Sequence, residues 1–192
     1  MCPDTRRLIT KPKEPRGRER YLSVEEVQQL LEACKQSRNR SLYTIVFCAI
    51  STGARLGELL SLRCQDTDLQ RCVVTFRNTK NSDTRCVPLT SVAVTVVQDY
   101  ERSVGFAGEY VFPQKSIRKA WRAAVTRAGL GRDVVFHTTR HTCGSHLAMS
   151  GASLLDIATV LGHHSMSMVR RYSHLSQGHL AEVVEKMAQR LL

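Results

Sequence analysis

One stretch of this chain, residues 71–89, is patterned to form strands, and most of what surrounds it is patterned as helix. Arg71 to Arg77 (Arg-Cys-Val-Val-Thr-Phe-Arg) is rich in β-formers, Asn78 to Asp83 is turn chemistry, and Thr84 to Leu89 is extended and ends near a proline. That order predicts a β-hairpin with Lys80 in its loop. A third short strand is expected just before it, near residues 66–69. Upstream, Ser23-Val24-Glu25-Glu26 is a capping box that starts a helix, with Val24, Val27, Leu30, Leu31 and Cys34 on one face. Residues 41–51 are apolar almost all round, as a central helix would be. Gly53 breaks that helix, and Leu56 to Leu62 resumes helical spacing. After residue 90 the pattern predicts helices at about 91–103, 115–128, 138–150, 153–161, 165–174 and 178–191, with stops at Gly129, Gly151 and Gly162. The expected fold is α+β, mostly α, with one small antiparallel sheet.

The chain's 192 residues suffice for one compact domain with a real core. Residues 1–20 hold three prolines and seven basic residues against three acids, and read as an extended basic lead-in or linker. The domain proper is then 21–192. Lys and Arg number 28 against 17 acids, a formal charge of +11. Such a balance favours a polyanionic partner, most simply nucleic acid. Seven cysteines, an odd number without Cys-x-x-Cys spacing, argue against a disulfide framework or zinc knuckle. Cys34 and Cys48 read as small core residues in a reducing cytosol. The start lacks a signal-peptide pattern, and the most apolar run, Leu42 to Ile50, is too short to cross a bilayer.

Chemistry concentrates in the last quarter: His137-Thr-Thr-Arg140-His141, Leu161-Gly162-His163, and Tyr172. Upstream, Thr52-Gly53-Ala54-Arg55-Leu56-Gly57-Glu58-Leu59 adds another arginine. Two guanidiniums can each fork onto non-bridging phosphate oxygens and stay charged at any working pH. Arg55 also has a structural alternative, an ion pair with Glu58 three residues on. Lys80 is either a solvated turn residue or an ammonium able to swing into a cleft and donate a proton. His137 and His141 have metal-ligand spacing, but no Glu follows His137, so the His-Glu-x-x-His zinc pattern is absent. His137 is expected at a helix start beside Arg140, with His141 supporting or packing. His163 is favoured over His164 because it follows the glycine directly. Tyr172 is either an apolar-face aromatic or a phenol activated by the surrounding cations and imidazoles. Arg170 and Arg171 fit contacts to a DNA backbone.

These residues, in this order, resemble the tyrosine recombinases, or phage integrase family. Their catalytic domains show an Arg in a Thr-Gly-x-Arg-x-x-Glu-Leu context, a hairpin Lys, a His-x-x-Arg-His helix start, a Leu-Gly-His turn and a nucleophilic Tyr before a final helix. Val87-Pro88-Leu89 matches the family's hairpin ending, and Tyr21 to Glu26 its first helix; the likeness covers residues ~20–192. It implies a helical catalytic domain of the DNA breaking-rejoining type with a small three-stranded antiparallel sheet. It also implies transesterification without metal, ATP or other cofactor, through a 3′-phosphotyrosyl link made by Tyr172. Arg55 and Arg140 would hold the non-bridging oxygens, Lys80 would protonate the leaving 5′ oxygen, and His137 would exchange the tyrosine proton. His163 would hydrogen-bond the phosphate, and Glu58 and His141 would support their neighbours.

The implied partner is double-stranded DNA, engaged by a homo-tetramer. The last helix, ~178–191, would dock on a neighbouring protomer, accessory DNA-bending proteins could join, and the setting would be cytoplasmic and nucleoid-associated, with no membrane. Many family members carry an N-terminal core-binding domain, whereas only the basic lead-in precedes Ser23. The chain is therefore expected to be a fragment or one of the short members resembling fimbrial-switch invertases. Val169 stands three before the tyrosine, where the family often has Thr. Two other readings remain open at this point: a catalytically silent DNA-binding module of the same fold, which the intact six-residue set argues against, and a type IB topoisomerase-like strand relaxase.

Overall fold

The computed structural model describes residues 20–77, 84–106, 108–163, 165–175 and 177–191, with side chains omitted at 177–183. The basic lead-in before Arg20 and the Lys80 loop tip lie outside the described residues. Helix α1 (Val24–Lys35) begins at the expected capping box: the Ser23 hydroxyl accepts from the Glu26 amide while Glu26 reaches back to the Ser23 amide. Helix α2 (Leu42–Thr52) is buried on nearly every side and packs against α1 and, further on, α4 (Ser91–Val104) and α6 (Thr138–Met149). Its uniform apolarity requires that central position. Leu22 is fully buried and tied to α6, its amide donating to Thr142 Oγ1 at 3.0 Å and its carbonyl meeting His146 Nε2 at 2.9 Å.

The sheet has the expected size and sense. Strands β1 (Thr67–Asp68), β2 (Val73–Phe76) and β3 (Arg85–Pro88) are antiparallel in the order β1-β2-β3, with Val74 opposite Val87 and Phe76 opposite Arg85. Side chains alternate along a strand, so Val74, Phe76, Arg85 and Val87 share the inward face. Helix α3 (Leu56–Leu60) stops short of Leu62, and α5 (Arg118–Arg127) and α7 (Leu154–Leu161) lie within the expected ranges. Among the described residues no helix is long and apolar enough to cross a membrane.

Two expectations need correction. The stretch 165–174 is not one α-helix: α8 (Met166–Val169) tightens into a 3-10 helix, Arg170–Leu175. With three residues per turn, positions i and i+3 stack, and this aligns Val169, Tyr172 and Leu175 on a small second core with Cys143, Ile157 and Leu161. Val24, counted on the buried face of α1, is 53% exposed, and Ala33 is buried instead. Val24 sits at the mouth of a groove it shares with Ile50, Cys143 and Leu147. The final helix, α9 (Gln177–Leu191), follows the 3-10 segment and exposes Val184, Met187 and Leu191.

Gly53 closes α2 in the left-handed conformation, at φ +64°, and a Cβ there would stand 2.2 Å from Leu161 Cδ2. Left-handed backbone and overpacking both act against a larger residue. Gly53→Ala is expected to cost about 2–4 kcal/mol in urea unfolding; a change below about 0.5 kcal/mol would show that this corner is loosely packed.

Candidate active site

Arg140 organises the site. The chain enters α6 through a tight turn in which the Val135 amide donates to Thr138 Oγ1 at 3.1 Å and the Thr139 hydroxyl donates to the Phe136 carbonyl at 2.7 Å. His137 is the N-cap, and Arg140, in the first turn, is 2% exposed. Its Nη1 donates to the Gly53 carbonyl at 2.7 Å and its Nη2 to the Leu161 carbonyl. Those acceptors belong to the C-terminal ends of α2 and α7, where carbonyls lack intrahelical donors and the helix dipole favours a cation. Burial lowers the Arg140 pKa to about 10, helped by Arg55 and Arg85 and opposed by Glu58 and Tyr172. The guanidinium therefore remains charged near neutrality.

Arg55 is the N-cap of α3, and the expected ion pair with Glu58 is present while part of the side chain stays open. Its Nη1 donates to Glu58 Oε1 at 2.7 Å and its amide to Glu58 Oε2 at 2.8 Å, yet its side chain stays 37% exposed beside Arg140. Glu58 is buried and accepts a third donor, Nη2 of Arg85, at 2.7 Å. Arg85 was not singled out from the sequence. Its signal was the two-residue alternation of β3, which puts it on the same inward face as Val87.

The three imidazoles sense the same cations. Burial lowers the His137 pKa first, then Arg140, Arg55 and Arg171. His163 falls to about 4 through burial, then Arg140, Arg171, Arg55 and Arg85. Its Nδ1 is buried without a hydrogen-bond partner among the described residues. His141 also falls to about 4, through burial, His137, Arg171 and Arg140. It packs edge-to-face on His137, ring centres 4.8 Å apart, and among the described residues no group of three His, Cys, Asp or Glu side chains gathers as a metal site would require.

Tyr172 is 2% exposed, and its hydroxyl lies 3.4 Å from His141 Nδ1. The ring lies against Gly144, where a Cβ would stand 2.5 Å from Cζ and 2.8 Å from the hydroxyl oxygen. Gly144 is a second residue missed from sequence, since glycine inside a helix carries no signal of what lies over it. An imidazole that meets the phenol is thus that of His141, expected only to support or pack. Arg171 donates from Nε to the Met168 carbonyl at 3.0 Å and acts on all three histidines, so it belongs to the site and not only to its rim. Lys80 is outside the described residues, but both strands of the hairpin are held beside its loop: Arg77 Nε meets Asp66 Oδ1 at 2.6 Å, and Arg85 meets Glu58.

Arg55, Arg85, Arg140 and Arg171 thus all act on the His163 imidazole, and Glu58 and Tyr172 offset the positive charge at Arg140. A hollow so charged is suited to an oxyanion whose charge grows during reaction.

Comparison with known proteins agrees with this chemistry. The model of the Phage integrase family matches residues 20–179. A shufflon-specific DNA recombinase of Escherichia coli is 35% identical over 170 residues, covering 88% of this chain and 43% of that protein. The tyrosine recombinase XerC of Xanthomonas axonopodis is 30% identical over 187 residues, covering 91% and 60%. The catalytic domain of bacteriophage HP1 integrase superposes with a TM-score of 0.72 at 29% identity, covering 86% of this chain and 93% of that domain. The chain spans about half the length of the curated relatives it matches.

The histidine shifts set a pH dependence. With folded values near 4 and unfolded values near 6.5, the unfolded chain binds more protons between them. The stability held above pH 6.5 is lost as pH falls toward 4. The thermal midpoint should therefore drop between pH 6.5 and 5, before most carboxylates titrate, and a His141→Gln, His163→Gln double variant should flatten the profile. A midpoint constant across that window in the unaltered protein would contradict the burial of neutral imidazoles.

Proposed function

The chain belongs to the phage integrase family, and on that premise we propose that it is a site-specific DNA recombinase acting through a 3′-phosphotyrosyl intermediate. The observation that carries this reading is the Tyr172 hydroxyl, 3.4 Å from a neutral imidazole and close enough to Arg140 for a phenolate to stabilise that guanidinium. An unassisted phenol, with a pKa near 10, is a poor nucleophile at pH 7. Here a base and fixed positive charge stand beside it.

In the proposed step the Tyr172 oxygen attacks the phosphorus of a DNA phosphodiester. Its proton passes to His141 or His137, and the bond to the 5′ oxygen breaks. Arg55 and Arg140 hold the non-bridging oxygens as negative charge builds, His163 donates a hydrogen bond to one of them, and Lys80 protonates the departing 5′ oxygen. Bond energy is conserved in the phosphotyrosyl ester, so a 5′-hydroxyl from another strand reverses the step without metal, ATP or cofactor. With so little of Tyr172 exposed, DNA or a neighbouring protomer must draw the 3-10 segment outward before the phenol meets phosphorus.

Residues 21–192 form the catalytic domain in this reading, and 1–20 a basic linker. The charge of +11 suits double-stranded DNA, with counterion release adding to affinity. Two sequential exchanges require a tetramer on DNA. The exposed apolar residues of α9 suit docking on a neighbouring protomer, with accessory DNA-bending proteins aligning the sites. The reaction would take place on nucleoid DNA in the cytoplasm.

A nicked half-site duplex that traps the intermediate tests this. The unaltered protein should give an SDS-resistant protein–DNA band, Tyr172→Phe none, and Arg140→Gln a yield lower by about a hundredfold or more. EDTA should leave the band unchanged. DNA retention without any band on cognate DNA would replace the enzyme reading with a silent DNA-binding module. A band from Tyr172→Phe would reassign the nucleophile.

A further inference from the structure

Arg85 has no part in the chemistry above, yet three pieces of the site meet on it. Its side chain is 9% exposed. Nη2 donates to Glu58 Oε2 at 2.7 Å, and Nη1 donates to the Val160 carbonyl at 3.1 Å. The guanidinium carbon lies 5.0 Å from the ring centre of Phe76, its partner across the strands. One guanidinium therefore links the sheet to α3, which follows Arg55, and to the end of α7, which precedes His163.

The surroundings are shaped for this side chain. A Cβ on Gly162 would stand 2.9 Å from Arg85 Cδ and 3.1 Å from Nη1. Glu58 Oε2, which accepts from Arg85, also accepts the Arg55 amide, while Oε1 accepts Arg55 Nη1. The carboxylate is thus fixed between a buried arginine and an arginine open to the site. Stability alone does not explain the pair, because apolar residues of similar volume often replace a buried ion pair at no net cost. Lysine substitutes only in part: it keeps a charge for Glu58, but reaching two acceptors on different elements needs a planar fork, which an ammonium lacks.

We propose that Arg85 is a positioning residue for DNA cleavage, fixing Glu58, and through it Arg55, while tying the α7 end that leads to His163 onto the sheet. The inference rests on the reading of this hollow as a phosphoryl-transfer site. Arg85 acts through its neighbours. Without it Glu58 keeps one partner fewer, Arg55 loses its fixed orientation, and the Val160 carbonyl loses its donor.

Two measurements on Arg85→Met and Arg85→Lys test this. Amide hydrogen exchange compares the Arg55 amide with core amides of α2 such as Ile45 and Val46. Single-turnover trapping on a nicked half-site measures cleavage, with DNA retention measured separately. For Arg85→Met, exchange at Arg55 should quicken about tenfold or more while α2 is unchanged. Covalent trapping should slow about a hundredfold with DNA retention within about threefold, and Arg85→Lys should recover part of both losses. Unchanged exchange at Arg55 in a folded Arg85→Met protein would overturn the proposal. So would parallel loss of protection in α2 for both variants, which marks a merely structural role. If the unaltered protein itself traps no DNA, the phosphoryl-transfer reading fails, and the exchange at Arg55 still decides whether Arg85 holds Glu58.

Discussion

A single buried guanidinium sets the geometry of this domain. Arg140 donates to the carbonyls of Gly53 and Leu161, which close two helices far apart in sequence. Burying an arginine is costly unless its donors are satisfied, and here helix ends that need donors satisfy it. Arg55 follows Gly53 by two residues, and His163 follows Leu161 by two. The bond that pins each helix end therefore also delivers a motif side chain to the same hollow. Tyr172 reaches the hollow separately, through a 3-10 helix whose period stacks it with Val169 against α6 and α7.

The hollow's charge follows from that arrangement. Four arginines act on the histidines, and Glu58 is the carboxylate that offsets them. The imidazoles respond by staying neutral, which keeps them able to accept a proton. An arriving phosphodiester would supply the missing negative charge. Glu58 sits between Arg55 and Arg85, so charge balance and orientation come from one side chain.

Much of this was legible in the sequence because it rests on local patterns. The capping box at Ser23, the apolar run of α2, the glycine stops and the alternation of the sheet each report a backbone state directly. The motif residues Arg55, His137, Arg140, His163 and Tyr172 were visible as unusual chemistry at fixed spacing. The missed features are those settled only by packing between distant segments. Gly144 looks like any helix glycine until the Tyr172 ring lies on it. Arg85 looks like a solvated strand residue until Glu58, 27 positions earlier, is seen to bond it. Helical spacing gave no warning that residues 170–175 would tighten, because a stretch of Met, Val, Tyr and Leu at intervals of three serves either helix. Val24 obeyed its pattern yet stayed exposed, since its first-turn position places it at a groove mouth.

The central claim is that Arg55 and Arg140 form one phosphate seat beside Tyr172. A crystal structure of the Tyr172→Phe protein on a duplex carrying its cleavage site tests it most directly. The scissile phosphate should lie between the two guanidiniums, hydrogen-bonded to both and to His163, with Arg140 still bound to the Gly53 and Leu161 carbonyls. A phosphate seated away from either arginine, or an Arg140 that abandons both carbonyls to reach it, would contradict the claim.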